Sequence, residues 1–319
     1  MCLLNAGHLA APGYIFPIVA SSYRYYTCDV FTDTRFGGNQ LAVLSHADGL
    51  STRQMQAIAR EFNYSETTFV LPPKSGNTRH VRIFTPAREI PFAGHPNVGT
   101  AFVLAHVGQL GEIKSSSTVT FEEQAGLVEI AINGADGKVT TCELTAPQNL
   151  SIGRALPLDL VATALGIHPN DIVTDTHPPQ LASVGLPFVL TEVKDRPVLE
   201  RASINMSGFE ALAATGIMPD VYFYVQASDG FDIRARMFAP LDGVPEDPAT
   251  GSANCALAGL LAHYSEQRDA DFTWRIAQGV EMGRPSTLIA RAEKRDNTVQ
   301  KTRIGGACVL VSEGSMHIE

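Results

Sequence analysis

The stretch RMFAPLDGVPEDPATGSANCALAGLL, residues Arg236–Leu261, decides how the fold of this 319-residue chain can be interpreted. It begins with a short strand-like run and passes through turn residues to Asp247. From Gly251 onward nearly every residue is small or apolar, a composition typical of a helix that is buried on all sides. A glycine and Ser252 at the start of such a helix leave backbone N–H groups free to face a cleft. We therefore predict a carboxylate or phosphate site here, with Asp247, Gly251 and Ser252 forming half of an active site.

A second stretch shows the same order of features. Residues Arg82–Pro86 (RIFTP) match Arg236–Pro240 (RMFAP) at an offset of 154, and Gly94–Asn97 (GHPN) match Gly251–Asn254 (GSAN) at an offset of 157. Both copies run from a strand through a proline turn to a glycine, a polar residue and an apolar helix. The shared order of four features argues against chance similarity. The sequence therefore predicts an internal duplication of one α+β unit.

The balance of predicted elements indicates the fold class. Strands are many and helices few in each part of the chain, which fits an α+β fold better than a doubly wound α/β sheet. The polar, proline-bearing segment Thr145–Leu150 is the best candidate boundary. We predict an N-terminal tail over residues 1–23, a first half over 24–146 and a second half over 147–319.

Local signals predict several individual elements. Ser51 is a plausible N-cap for a helix over Gln54–Glu61, and Gly166 is a plausible C-cap after a helix over Leu158–Leu165. The closing strands of the second half are predicted at residues 274–279, 287–290 and 307–311.

Composition excludes several classes of function. A net charge of −9 argues against a nucleic-acid or anionic-membrane surface. The five cysteines are scattered and form no CxxC pair, so we expect no disulfide framework and a reducing, cytoplasmic location. HxxxH, GxGxxG and Walker patterns are absent, so neither a metal site nor a nucleotide cofactor is predicted. Pro12 and Pro17 interrupt the N-terminal segment, which makes it a poor signal peptide and a poor membrane span.

Three residues could carry proton-transfer or orienting chemistry. Glu66 lies at the entry of a strand over Thr67–Leu71, either as a solvated turn carboxylate or as an acid/base at the rim of a cleft. His95 stands at the helix start equivalent to that of Ser252. Asp247 could orient a substrate amine or hydroxyl, or it could only cap local backbone, which stabilises by about 1 kcal/mol. A Ser–His–Asp hydrolase is disfavoured because no GxSxG elbow surrounds the serine.

Longer motifs carry a resemblance over roughly residues 25 to 312. In chain order they are DVFTDTRFGGNQLAVL (Asp29–Leu44), NYSETTFVL (Asn63–Leu71), RIFTPAREIPFAGHPNVGTA (Arg82–Ala101), RMFAPLDGVPEDPATGSA (Arg236–Ala253) and QGVEMGRPS (Gln278–Ser286). The chain resembles the PhzF-like family of phenazine biosynthesis. This resemblance implies a fold like that of diaminopimelate epimerase. Such a fold has two similar halves, each a curled, mostly antiparallel sheet around a central apolar helix, with the site between them.

The resemblance also implies an activity. It points to a cofactor-free isomerase, usually a homodimer, with a small carboxylic acid as substrate. By motif, the acid/base carboxylate of the family falls on Glu66, its histidine on His95, and its Asp and Ser on Asp247 and Ser252. In the related epimerases two cysteines hold the helix-start positions, which here are His95 and Ser252. A single-carboxylate proton shuttle is therefore predicted instead of a two-thiol racemisation.

These inferences give a set of predicted site residues. The predicted catalytic residues are Glu66, His95 and Asp247, and the predicted substrate-binding residues are Gly94, Gly251, Ser252 and Asn39. The named member of the family acts on a dihydro-hydroxyanthranilate, a substrate that the motifs alone do not transfer to this chain. The alternative is a catalytically idle small-molecule-binding or interaction protein on the same fold.

Overall fold

Two buried helices lie at the centre of the fold, one in each part of the chain. In the computed structural model, which describes residues 21–319, they span Gly94–His106 and Gly251–Tyr264. Every residue of the first helix before its last is buried, and all but three residues of the second are buried. Because these helices have no polar face to turn toward water, other elements must cover them on all sides.

The first part of the chain contributes eight strands and two helices. In order these are β1 Ser21–Val30, β2 Asn39–Leu44, α1 Thr52–Phe62, β3 Glu66–Leu71, β4 Arg79–Phe84, β5 Glu89–Ile90, α2 Gly94–His106, β6 Ser116–Glu123, β7 Gly126–Ala135 and β8 Lys138–Thr145.

The remainder contributes the other elements of residues 21–319. These are β9 Ser151–Ala155, α3 Leu158–Leu165, a 3-10 turn Pro169–Asp171, β10 Ile172–Val173, β11 Gln180–Ser183, β12 Pro187–Val193, α4 Arg196–Arg201, α5 Met206–Ala213, β13 Val221–Gln226, β14 Ile233–Ala239, a 3-10 turn Pro240–Asp242, β15 Val244–Glu246, α6 Gly251–Tyr264, β16 Ala270–Gln278, β17 Ser286–Arg295, β18 Thr298–Gly306 and β19 Cys308–Ile318.

The order of strand pairing in the first part of the chain recurs in the second. β3 pairs in parallel with β2 and antiparallel with β4, while β4 pairs antiparallel with β5 and in parallel with β6. β13 pairs in the same way with β12 and β14, and β14 with β15 and β16. A parallel pair needs a long crossover, and α2 and α6 lie in the two equivalent crossovers. The antiparallel meanders β6–β7–β8 and β16–β17–β18 then follow each helix.

Two further pairings join both parts into one sheet. β19 returns to the beginning of the chain and pairs antiparallel along β1, from Ser21 opposite Ile318 to Val30 opposite Cys308. β8 and β18 also pair antiparallel. The protein is therefore a mixed α+β fold with a strongly curled sheet, which confirms the predicted fold class. The division into halves at residue 146 falls between β8 and β9 and stays a prediction.

The structure departs from the predicted elements at β1 and at β18. Of the predicted tail over residues 1–23, residues 1–20 lie outside the described part of the chain. Ser21–Tyr23 belong instead to β1, because they pair with the last residues of β19. β18 is missing from the predicted strands, because the adjacent exposed residues Gln300 and Lys301 break its alternation. A register shift opposite this point accommodates them.

Predictions that rest on local chemistry are confirmed. Ser51 Oγ accepts a hydrogen bond from the backbone N of Gln54, and the Gln54 side chain accepts one from the backbone N of Ser51. This reciprocal capping fixes the start of α1. Gly166 ends α3 in the left-handed conformation, with φ 63°. None of the helices between residues 21 and 319 is long and apolar enough to cross a membrane.

Candidate active site

The starts of α2 and α6 meet backbone to backbone. A Cβ added to Gly94 would lie 2.7 Å from the Cα of Gly251 and from the N of Ser252, and one added to Gly251 would lie 3.0 Å from the Cα of Gly94. Glycine is required at both positions by this close approach. Neither helix has a side-chain hydrogen bond that caps its first turn. The first-turn N–H groups of two helices are therefore gathered in one place.

A cavity of about 630 Å³, counted to open solvent, lies where the helix starts meet. Six of the seven predicted site residues line it, namely Glu66, Gly94, His95, Asp247, Gly251 and Ser252. Much of the remaining wall is apolar and consists of Ile90, Ala93, Leu186, Phe188, Met237, Ala239 and Val244. A few polar groups on an apolar wall suit a small organic ligand.

Glu66 and His95 face each other in this cavity. Glu66 is the first residue of β3 and His95 the second residue of α2, and Glu66 Oε2 lies 3.4 Å from His95 Nε2. Neither atom has a hydrogen-bond partner among the described residues. Burial, and secondarily the charge of Asp247, raises the pKa of Glu66 well above its ordinary value. Burial lowers the pKa of His95 to about 3, so its imidazole is neutral, and burial likewise favours the protonated form of Glu66.

Asp247 is held by three donors and stands close to this pair. Its Oδ1 accepts hydrogen bonds from Asn39 Nδ2 at 2.8 Å and from Ser65 Oγ at 3.1 Å. Its Oδ2 accepts one from Thr250 Oγ1 at 2.6 Å. Burial raises the pKa of Asp247, and these three hydrogen bonds oppose the rise. Asp247 therefore has a fixed orientation, and its charge raises the pKa of Glu66.

Asn39, the seventh predicted site residue, lies behind the cavity wall. It is 1% exposed and is not among the residues that line the cavity. Its Nδ2 lies 2.8 Å from Asp247 Oδ1, 3.0 Å from the carbonyl of Ala249 and 3.2 Å from His95 Nδ1. These contacts connect the start of β2 to both helix starts. They favour a positioning role for Asn39 over direct contact with a substrate.

Gln278 is a site residue that sequence reasoning missed. It is fully buried at the end of β16, where its Nε2 donates to the carbonyl of Asp247 at 2.9 Å and to Thr250 Oγ1 at 3.0 Å. Its Oε1 accepts from the backbone N of Thr250 at 3.1 Å and from Asn254 Nδ2 at 3.0 Å. All four hydrogen-bonding positions of the amide are used. The sequence offers only a Gln–Gly pair after an apolar run, which does not distinguish this role from an ordinary strand end.

Glu123 is the last residue of β6 and lies beside the first turn of α2. Gln278 is likewise the last residue of β16 and lies beside the first turn of α6. In both helices an asparagine of that turn donates to the carbonyl four residues earlier, Asn97 to Ala93 and Asn254 to Thr250, at 2.9 Å each. Both carboxyl oxygens of Glu123 and the Oδ1 of Asn97 are buried and have no hydrogen-bond partner among residues 21–319. Burial raises the pKa of Glu123 well above its ordinary value. When it is protonated, Glu123 has nearly the same shape as Gln278, which ends β16 in the second part of the chain.

This neutral carboxyl group gives a predicted pH dependence of stability. Because the pKa of Glu123 is raised in the folded state, its stabilising contribution is complete below the ordinary carboxyl pKa and is lost as pH rises toward the folded-state pKa. Across that window the free energy of unfolding of the wild type falls by about 1.4 kcal/mol per pH unit from this group. Glu123→Gln keeps the shape but cannot titrate, so its stability relative to the wild type increases with pH.

Urea unfolding of both proteins at about pH 5 and about pH 8 checks this expectation. Glu129→Gln, on the exposed side of the neighbouring strand β7, serves as the matched control and shows no such pH-dependent gain. An equal difference between wild type and Glu123→Gln at the two pH values contradicts the assignment.

The thiol on α6 is a buried packing group. Cys255, on α6, is buried, and burial raises its pKa to about 12. The two helix starts carry His95 and Ser252 where thiols could otherwise act. Within the described residues, no three His, Cys, Asp or Glu side chains lie close enough together to hold a metal ion.

Comparison with known proteins places this geometry in a family. Residues 28–314 match the family described as phenazine biosynthesis-like protein. An uncharacterized isomerase of Mesorhizobium japonicum is 37% identical over 305 residues, covering 92% of this chain and 99% of the relative. The trans-2,3-dihydro-3-hydroxyanthranilate isomerase of Pseudomonas aeruginosa is 35% identical over 301 residues, covering 93% and 100%.

A solved structure agrees with the sequence relatives. The crystal structure of the Bacillus anthracis phenazine biosynthesis protein of the PhzF family matches with a TM-score of 0.83 and 25% identity, covering 93% of this chain and 100% of that one. Agreement in sequence and in fold over nearly the whole length confirms the resemblance found in the motifs. The chain belongs to the phenazine biosynthesis-like (PhzF) family.

Proposed function

We propose that this protein is a cofactor-independent isomerase that moves a proton within a small amino- or hydroxy-carboxylic acid. The observation that carries the proposal is the half-buried Glu66 carboxyl group in a cavity where two helix starts meet. Among residues 21–319 its Oε2 has no hydrogen-bond partner and faces only the neutral His95. Such a site combines a proton-transfer group with a place for a carboxylate. Both are needed for proton transfer next to a carboxylic acid.

The helix starts supply the binding site in this proposal. The N–H groups of the first turns carry partial positive charge and attract an anion, so the substrate carboxylate lies against Gly94, Gly251 and Ser252. Among residues 21–319 the guanidinium in the cavity wall, that of Arg88, already contacts Asp242, so the two helix starts supply the carboxylate site. The Asp247 carboxyl group accepts hydrogen bonds from Ser65, directly before β3, and from Thr250, directly before α6. These bonds fix the orientation of both segments.

Glu66 is the proton carrier. In its ionised form it removes a proton from a carbon next to an unsaturated system, and the electron pair of the broken C–H bond delocalises into that system. The carboxyl proton exchanges with solvent, and the protonated carboxyl group then delivers a proton to another carbon of the same system, so the enzyme ends as it began. The raised pKa of Glu66 brings it nearer to the working pH, which makes it both an effective base and an effective acid.

The relatives support the same class of substrate. The Pseudomonas aeruginosa relative is named for isomerisation of trans-2,3-dihydro-3-hydroxyanthranilate, a small unsaturated carboxylic acid. The recurring order of strand pairing also supports an internal duplication, in which Gly94 and Gly251 are equivalent residues of two related halves, 24–146 and 147–319.

A screen for solvent-deuterium uptake tests the proposed activity. The wild-type protein is incubated in deuterated water with unsaturated amino- and hydroxy-carboxylic acids, and each compound is analysed by mass spectrometry and proton NMR. We expect at least one compound to gain one deuterium at a new position as its double bond moves. Uptake by none of them, together with no carboxylate binding in calorimetry, contradicts the proposal.

A further inference from the structure

One carboxyl group in the cavity wall has no hydrogen-bond or ion-pair partner among residues 21–319. Asp220 lies directly before β13, and its backbone oxygen accepts a hydrogen bond from the N of Val189 at 2.8 Å. The residue is 3% exposed and lines the cavity together with Leu186 and Phe188. Within residues 21–319 only burial and two nearby charges act on its carboxyl group, and no hydrogen bond does. Asp220 thus caps no turn and closes no ion pair in the fold.

The charges around the cavity leave this carboxyl group uncompensated. The titratable side chains in the wall, apart from His95, are the carboxyl groups of Glu66, Asp220, Asp242 and Asp247 and the guanidinium of Arg88. Arg88 already contacts both carboxylate oxygens of Asp242, at 3.3 Å each. Burial and the charge of Asp242 raise the pKa of Asp220 to about 7, and Arg88 opposes the rise. An ionised carboxylate that is buried without a partner is costly, so a cation that binds beside Asp220 would stabilise its charged form.

We propose that Asp220 determines substrate specificity by binding a protonated amine that the substrate carries in addition to its carboxylate. This inference rests on the proposed function, because it places the substrate carboxylate at the starts of α2 and α6. The ammonium group then forms a charge-assisted hydrogen bond with Asp220. The apolar wall between the two sites covers the carbon skeleton. A dicarboxylic acid is rejected, because its second carboxylate would meet Asp220 and Asp242.

A matched series of simple ligands tests the role of Asp220. Dissociation constants are measured by calorimetry for β-alanine, 4-aminobutanoate and 5-aminopentanoate, and for propanoate, butanoate and pentanoate. In the wild type we expect at least one amino acid to bind about tenfold more tightly than its match without the amine. Asp220→Asn, which preserves the volume of the side chain, abolishes this preference and leaves binding of the plain carboxylates unchanged. Asp220→Ser loses the preference as well.

A control variant and the remaining outcomes separate this inference from the proposed function. Asp175→Asn removes an exposed carboxylate outside the cavity and keeps the preference for the amine. If the plain carboxylates bind but the amine adds nothing, or if Asp220→Asn retains the preference, the role of Asp220 is overturned while the carboxylate site stands. If none of the six ligands binds, the carboxylate site fails, and the role of Asp220 fails with it.

Discussion

Glu66→Gln is expected to lower proton exchange between solvent and substrate by about a thousandfold. The amide has nearly the shape of the carboxyl group and still reaches His95, but it neither accepts nor releases a proton in this range of pH. His95 does not replace it, because burial lowers the pKa of that imidazole to about 3. The loss therefore falls on the rate of the chemical step.

Binding is expected to survive the same substitution. The substrate carboxylate is held by the helix starts at Gly94 and Gly251, which Glu66→Gln leaves in place. Calorimetry should give dissociation constants within a few-fold of the wild-type values, while mass spectrometry of the substrate in deuterated water shows almost no uptake. This separation of rate from affinity is what an acid/base residue produces and what a purely structural residue does not.

Glu61→Gln is the matched control for this experiment. Glu61 is an exposed residue on the last turn of α1, five positions before Glu66, and lines no part of the cavity. Its substitution removes the same chemical group from the same region and should leave both exchange and binding unchanged. Exchange at the wild-type rate in Glu66→Gln would end the single-carboxylate mechanism.

The elements that could be predicted from the sequence are those whose signals are local. The starts of α2 and α6 are marked by a glycine and a polar residue after a proline turn, and the apolar run that follows has no polar face. Ser51 identifies its helix through an interaction with a residue three positions away. By contrast, β1 begins at Ser21 because β19, at the other end of the chain, provides its partner. No local pattern contains that information.

The same distinction divides the candidate site. Glu66, His95 and Asp247 could be proposed because each stands beside a recognisable turn or helix start. Their grouping, and the shifted pKa values of Glu66 and His95, depend on burial by distant elements. Gln278 and Asp220 could not be predicted from the sequence for this reason. Gln278 ends an ordinary strand and Asp220 precedes one, and the role of each depends on the residues that the fold places beside it.

The meeting of the two helix starts makes Gly94→Ala the second substitution with a large expected effect. The new Cβ would lie 2.7 Å from the backbone C and Cα of Gly251 and from the N of Ser252, and backbone atoms cannot turn aside as a side chain can. The helices must separate, so the N–H groups that converge on one carboxylate diverge. We expect the free energy of unfolding to fall by about 1–3 kcal/mol, as for other overpacked sites. Binding of butanoate should weaken by about tenfold or more, as for the loss of hydrogen bonds to a charged group.

Gly259→Ala separates this effect from the general consequence of adding a methyl group to a buried helix. Gly259 also lies on α6, but its new Cβ would meet the side chains of Leu150 and Thr302, at 3.0 and 3.2 Å, and these can shift. Alanine also favours a helix over glycine by about 1 kcal/mol, which offsets this crowding. Urea unfolding and butanoate titration should therefore leave Gly259→Ala close to the wild type and Gly94→Ala far from it. If Gly94→Ala matches the wild type in both measurements, the two helix starts do not form the carboxylate site, because their separation would then have no effect on it.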